Sequence, residues 1–91
     1  MINTNDFEDM YNGLIVTVES EMELVEKGLT KRSKQQLKTI MYDLNKMNDT
    51  RDSKLFVPSY PRFIVDSWDF SDTLGIELLK LYELYKKIKN Q

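Results

Sequence analysis

Apolar residues recur at steps of three and four along most of this chain, the spacing that gives an α-helix one continuous apolar face. Three long segments follow this pattern, and a shorter one between residues 61 and 67 follows it less strictly. Segments of this kind bury their apolar residues by packing one helix against another. We therefore predict an all-α fold, an antiparallel bundle of three long helices plus one short helix.

The first predicted helix runs from about Asp6 to Lys27. Asn5 or Asp6 is suited to cap its start, because a short polar side chain accepts a hydrogen bond from a free amide there. Gly28 is suited to end it, because glycine enters the left-handed conformation without strain. The apolar stripe of this helix consists of Phe7, Met10, Tyr11, Leu14, Ile15, Val18, Met22 and Val25.

The second predicted helix begins near Thr30 or Ser33 and ends around Asn48. The turn that separates it from the first helix, residues 28–33, is short, so we expect the two helices to pack antiparallel as a hairpin. Its apolar stripe is narrower than that of the first helix and consists of Leu37, Ile40, Met41, Leu44 and Met47.

A short third helix is predicted from about Pro61 to Ser67, with Ser59 or Tyr60 as its cap. Proline is favoured in the first turn of a helix, where its missing N–H is not needed. The sequence Phe63-Ile64-Val65 also favours a strand. Because no second strand of comparable quality is present to pair with it, a helix is the preferred interpretation.

The last predicted helix follows a cap at Asp69, Ser71 or Asp72 and runs to about Lys89. Its apolar residues cover a wide arc of about 220°. Two interpretations are open: the helix is central and covered on two sides, or it keeps one face for a partner. Its main apolar face consists of Leu74, Leu78, Leu81, Tyr85 and Ile88, with Leu79, Tyr82 and Leu84 beside it and Ile76 further round.

The residue types that most enzymes use are missing from these 91 residues, which at this length form a single domain, 1–91. There is no histidine and no cysteine, so the commonest general base, a thiolate nucleophile and the usual zinc ligands are absent. The three glycines are isolated and form no phosphate-binding loop. We therefore expect no catalytic residue, no metal and no cofactor.

The chain has no feature that predicts a membrane or a nucleic-acid partner. Its start lacks the basic and apolar regions of a signal peptide, and no stretch reaches the ~18 apolar residues of a membrane span. Acidic residues outnumber basic ones, which argues against nucleic acid. We expect a cytoplasmic protein with a protein partner, and the oligomeric state stays open.

Charge is segregated along the chain. Residues 1–28 hold seven acidic side chains and one lysine, whereas residues 29–54 hold seven basic and three acidic side chains. Segregation of this kind supports pairing between helices and also the attraction of a charged partner. One flank of the first helix, which we name the acidic edge, carries Glu8, Glu19, Glu23 and Glu26.

Two interpretations of the acidic edge are open. Its glutamates either pair with basic residues of the second helix or dock a basic protein. Val16 favours docking, because it projects opposite the apolar stripe where water is expected. Glu21 falls within the stripe and is expected near an end or an edge. The basic residues available for pairing are Lys31, Arg32, Lys34 and Lys38.

A second candidate surface is the segment from Tyr60 to Phe70. It combines aromatic residues, an arginine and carboxylates, which is the composition of energetic hot spots at protein interfaces. Tyr60, Arg62 and Trp68 are its candidate partner-binding residues, and for Tyr60 and Trp68 packing within the bundle is an equally open interpretation. For Phe63 and Phe70 the preferred interpretation is packing into the end of the bundle.

The order of these elements resembles the small helical immunity proteins of interbacterial type VI effector systems. The likeness covers residues 6 to 86 and lies in the long first helix, the segment Gln35-Gln36-Leu37-Lys38-Thr39-Ile40-Met41-Tyr42-Asp43-Leu44, the short helix of residues 60–68, and Asp69-Phe70-Ser71-Asp72 ahead of Leu74-Gly75-Ile76-Glu77-Leu78-Leu79-Lys80-Leu81. The resemblance implies a helical bundle that binds a cognate toxin and occludes its active site. No binding residue transfers from the family, because immunity proteins diverge with their toxins.

The expected function is therefore an immunity protein that acts by binding an antibacterial toxin. The alternative is a regulatory or assembly adaptor that works through helix-to-helix contacts. A toxin gene beside this one favours immunity, whereas a neighbourhood of regulatory genes favours the adaptor.

Overall fold

The computed structural model describes residues 4–88, which form four α-helices and no strand. The predicted all-α bundle is confirmed. The prediction of an α-helix over Phe63-Ile64-Val65 is also confirmed, since these residues lie inside the third helix. The helices are α1 (Thr4–Glu26), α2 (Lys34–Thr50), α3 (Tyr60–Ser67) and α4 (Thr73–Lys87).

Helix α1 starts earlier than predicted and ends as predicted. It begins at Thr4, so Asn5 and Asp6 lie inside its first turn and the prediction that either caps it is wrong. Gly28 has a φ of 72°, the left-handed conformation that closes a helix. The Gly28 N–H donates to the Val25 carbonyl at 3.0 Å, and the next N–H in the chain donates to the Leu24 carbonyl at 2.8 Å.

Helix α2 begins after Ser33, whose side chain accepts a hydrogen bond from the Gln36 N–H at 3.2 Å. This confirms one of the two predicted starts. The helix ends at Thr50, two residues beyond the predicted end, because Arg51 takes a left-handed conformation at φ 47°. The Arg51 N–H donates to the Met47 carbonyl at 2.8 Å and closes the last turn.

Helices α1 and α2 pack antiparallel, as the short turn between them predicts. The start of α1 lies against the end of α2, where the Tyr11 hydroxyl donates to the Asn45 side chain at 3.0 Å. At the other end, Lys34 forms an ion pair with Glu26. Contacts near both ends therefore hold the two helices together as one hairpin.

Helix α3 is held by a buried carboxylate from α2. Asp43, 3% exposed, accepts hydrogen bonds from the Ser59 N–H at 2.8 Å, the Ser59 hydroxyl at 3.1 Å and the Tyr60 N–H at 3.0 Å. Free amides at a helix start favour a negative group. Ser59 precedes the helix, but its side chain donates to Asp43 instead of accepting from the helix. Burial raises the pKa of Asp43, and these hydrogen bonds oppose that rise.

Helix α4 begins after Asp72, whose carboxylate accepts a hydrogen bond from the Leu74 N–H at 3.1 Å. It ends at Lys87, and the predicted end at Lys89 lies outside the described residues. The five residues predicted for its main face are all buried. The Tyr85 hydroxyl lies 2.8 and 2.6 Å from the carbonyls of Asp52 and Phe56 and shares its one proton between them, which fixes the loop between α2 and α3.

The core lies where α4 packs against α1 and α3, with α2 closing the other side against the same two helices. Both interpretations of α4 describe part of what is seen. Leu81 is fully buried, as a central helix requires, whereas Leu79 is half-buried and Ile76 is exposed. Within residues 4–88, the buried core cluster consists of Phe7, Leu14, Val18, Leu37, Ile40, Leu44, Met47, Tyr60, Ile64, Leu74, Leu78, Leu81, Tyr85 and Ile88.

Candidate protein-binding surfaces

The acidic edge of α1 is largely neutralised by the protein itself. Three of its four glutamates form ion pairs, and only Glu19 has no ion pair among the described residues. The pairing interpretation is correct in kind, although Lys34 alone among the four predicted cations pairs with the edge. The pKa of Glu26 is lowered by its hydrogen bond with Lys34. The pairs are Glu26–Lys34, Glu8–Arg51 at 3.4 Å and Glu23–Lys27 at 3.1 Å.

Helix α1 also carries exposed carboxylates without such partners. Within residues 4–88, Asp6, Asp9 and Glu19 are exposed and form no ion pair. Val16 is 61% exposed, as predicted from its position opposite the stripe. We name this exposed surface the outer face of α1; it consists of Asp6, Asp9, Gly13, Val16 and Glu19, the last of which also belongs to the acidic edge.

Gly13 on the outer face is not required by the fold. Its backbone has no positive φ, and a Cβ added there meets nothing within 4 Å. A glycine inside a helix costs about 1 kcal/mol relative to alanine. Gly13 also lines a groove of about 550 Å³ between α1 and α4, together with Asp6, Asp9, Met10, Leu14, Thr17, Glu77 and Leu84. Because Gly13 has no side chain and the Asp6 and Asp9 carboxylates line the same groove, this part of α1 is an open, negatively charged surface.

Trp68, a predicted contact residue, belongs to a cluster that joins all four helical segments. Arg32 donates two hydrogen bonds to Asp72 at 2.7 and 2.9 Å and a third to Glu21. Its guanidinium lies 4.8 Å from the Trp68 ring centre, and the Trp68 indole N–H donates to Gln36 at 2.9 Å. The hydrogen bond from Arg32 lowers the pKa of Asp72. The contacts of Trp68 therefore serve the fold, and Glu21 lies at an edge as predicted.

The other two candidates from the same segment, Tyr60 and Arg62, have different environments: one is buried and the other is exposed. Tyr60 is fully buried, and its hydroxyl donates to the Leu78 carbonyl at 2.7 Å. Burial raises its pKa. It is therefore part of the core and not of the surface. Arg62 is exposed on α3.

Phe70 is the largest departure from the sequence-based expectation. The prediction that it packs into the end of the bundle is wrong, because 94% of the residue is exposed. Phe63 does pack against the core, as predicted. Phe70 lies in the short connection between α3 and α4, where Asp69 accepts hydrogen bonds from the Ser71 N–H and hydroxyl. Within this local turn the Phe70 side chain lies in solvent.

An apolar groove runs between α3 and α4 beside Phe70. Val65 is 70% exposed and Ile76 is 38% exposed on its two sides. At its floor the two helices approach closely, since a Cβ added at Gly75 would lie 3.2 Å from Trp68 and 3.3 Å from Ile64. The sequence does indicate this groove, because Ile76 lies outside the main apolar face of α4. The groove is lined by Pro61, Val65, Phe70, Ile76, Leu79 and Tyr82.

Residues 4–88 contain no group of three or more acidic side chains placed to hold a metal ion. None of their helices combines the length and apolar character needed to cross a bilayer. Comparison with protein-family models, curated proteins and solved structures finds no match to this chain.

Proposed function

We propose that this protein acts in the cytoplasm as an immunity protein, binding a toxic protein partner directly through the outer face of α1. The observation that carries the proposal is the set of carboxylates there, Asp6, Asp9 and Glu19, that no described cation neutralises. The order of helices that resembles immunity proteins supports the biological role.

The charge of α1 supports a basic partner surface. The helix contains seven carboxylates and no lysine or arginine. Four of them pair with cations of this chain, at Glu8, Glu21, Glu23 and Glu26. The remaining charges extend a negative potential into solvent, which speeds the encounter with a positive surface.

The shape of the outer face supports close contact. Gly13 leaves the helix backbone uncovered, and Val16 adds an exposed apolar side chain near the same turn. An apolar centre bordered by charges is the usual layout of a protein interface. Binding instead of catalysis is also favoured by a sequence without histidine or cysteine.

The test is co-expression with the product of the adjacent gene, followed by binding kinetics at low and high salt. The double variant Asp9→Lys/Glu19→Lys should slow association by about tenfold or more at low salt, with a smaller effect at high salt. Both positions are exposed and unpaired within the described residues, so helix content should not change.

The matched control is Asp49→Lys, an exposed carboxylate on α2, which should leave association within about twofold. Equal kinetics for the double variant and the parent would show that the outer face is only solvated. If no neighbouring gene product binds the unaltered protein, the immunity function is wrong and the adaptor takes its place.

A further inference from the structure

The apolar groove between α3 and α4 has opposite charges at its two ends. At the end beside Phe70, Asp69 lines the groove and Asp66 is exposed on α3. The hydrogen bonds from Ser71 lower the pKa of Asp69, so its carboxylate stays charged at neutral pH.

The second end is basic. Lys80 lines the groove beside Tyr82 and forms no ion pair with a described residue. Arg62 is exposed in the first turn of α3, at the same end. Glu83 also lines the groove, but it forms an ion pair with Lys86 at 2.9 Å. The groove lining thus runs from the Asp69 carboxylate, across exposed apolar side chains, to the unpaired Lys80 ammonium. Asp66 and Arg62 add charge of the same two signs on the exposed surface of α3, outside that lining.

A surface with this order of charges is complementary to itself. In a two-fold symmetric pair, residue i of one copy meets residue j of the other, and the reverse contact forms at the same time. Turning a second copy end to end places its basic end on the acidic end of the first, with apolar side chains facing each other between them. A partner of uniform charge would instead be repelled at one end.

We propose that a second copy of this chain docks in the apolar groove and forms a symmetric homodimer. Asp69 of each copy then lies near Lys80 of the other, and Phe70 is covered by the neighbouring apolar groove. The exposed apolar side chains gather here beyond what scattered surface residues require. The dimer goes beyond the proposed toxin binding and does not depend on it, because no residue of the outer face of α1 lines this groove.

The experiment is sedimentation equilibrium of the full chain over a range of concentrations up to on the order of 1 mM. The parent should form a dimer, with a dissociation constant in the micromolar range expected of a small interface. Asp69→Lys and Lys80→Glu should each raise that constant about tenfold, because each places like charges at both ends.

The decisive sample is an equimolar mixture of these two variants. In a mixed pair both ends regain opposite charges, so the mixture should dimerise about as well as the parent. Phe70→Ser should weaken every pairing, whereas Glu19→Lys on the outer face of α1 should leave the dimer unchanged. Circular dichroism of each variant confirms that it is folded.

Three results would overturn the proposal. The first is a parent that stays monomeric over the whole range. The second is a mixture that dimerises no better than its two components. The third is a dimer that neither charge reversal weakens, which places the contact on another surface. Each is separate from the toxin-binding test, since no partner protein is present.

Discussion

The two helical hairpins of this protein close their outer borders in different ways. Between α1 and α2, polar side chains cover the border through the Tyr11–Asn45 hydrogen bond and the Glu8–Arg51 and Glu26–Lys34 ion pairs. Between α3 and α4, the border is an open apolar groove with Val65 and Phe70 exposed on its rim. The border of the α1–α2 hairpin is thus covered by polar contacts within the molecule, whereas the border of the α3–α4 hairpin leaves apolar side chains exposed to water.

The width of the apolar arc on α4 causes this difference. One part of the arc, around Leu78 and Leu81, is buried against the rest of the bundle. The remainder, which includes Ile76, faces α3, a helix of only eight residues. So short a helix cannot cover the whole arc. A wide apolar arc on a helix therefore predicts an exposed binding surface only when the helix that packs against it is known to be too short to cover it.

Leu81→Ala tests the buried part of this arc and should have the largest effect. Because Leu81 is fully buried, its truncation should lower the free energy of unfolding by about 2–4 kcal/mol. Urea melts followed by circular dichroism measure the change. A loss below about 1 kcal/mol would place the side chain outside the core.

Asp43→Ala breaks the link that places α3 and therefore alters the apolar groove. The change leaves the amides of Ser59 and Tyr60 without their acceptor, and we expect a loss of about 1–3 kcal/mol. Fluorescence of Trp68, the single tryptophan, follows the melt from the end of α3. Asp43→Asn keeps one acceptor oxygen and should recover part of the loss. Equal losses for the two variants would contradict the capping role.

Asp72→Asn tests the Arg32 cluster at the junction of the two hairpins. Asparagine caps a helix as well as aspartate, so the variant isolates the charge and should cost under about 1 kcal/mol at pH 7. Arg32 lowers the pKa of Asp72 below its ordinary value of 3.8. The pair therefore stabilises the folded state above that pH, and this contribution is lost as the pH falls further.

The measurement for Asp72→Asn is a series of urea melts between pH 6 and pH 2, values that bracket the ordinary carboxyl pKa. The parent should lose stability more steeply below about pH 4 than the variant does. Asp43, whose pKa is raised by burial, has the opposite sign and is unchanged in both proteins. Parallel pH profiles would show that the Arg32–Asp72 pair contributes nothing.

Gly13→Ala tests whether the open surface of α1 has a structural purpose. Because an added Cβ meets nothing, the variant should be more stable by about 0.5–1 kcal/mol. If it also binds the toxin partner more weakly, the glycine serves binding. A destabilised variant would show that the fold requires the glycine.

Phe70→Ser, measured below the concentration at which dimers form, should have the smallest effect on stability. A side chain that is 94% exposed should change the free energy of unfolding by less than about 0.5 kcal/mol. Leu81→Ala is the matched comparison within the same pair of helices. A loss of more than about 1.5 kcal/mol would mean that Phe70 packs against the monomer.

Local signals in the sequence predicted the helices well. The structure confirms Gly28 as the end of α1, and it selects Ser33 and Asp72 from the alternative starts predicted for α2 and α4. The bundle follows from the apolar stripes, since residues such as Leu37 and Leu78 are buried as predicted. These predictions depend on contacts within a few residues or on a regular period.

The surfaces were less predictable because they depend on distant contacts. Arg32 was expected beside the acidic edge, but it pairs with Asp72, forty residues away. Nothing near Asp43 in the sequence indicates that it holds the start of α3. Phe70 was misplaced because composition alone does not show that its side chain lies in solvent within the turn at Asp69.

The contrast between the two borders is tested most directly by adding a nitroxide cosolute to the protein and recording line broadening in its NMR spectrum. At low concentration the Phe70 ring and the methyl groups of Val65 and Ile76 should broaden strongly, while those of Leu44 and Leu81 should not. As the concentration rises and dimers form, the broadening at Phe70 should fall. If Phe70 broadens no more than Leu81 in the dilute protein, the apolar groove is closed and the contrast between the two hairpins is wrong.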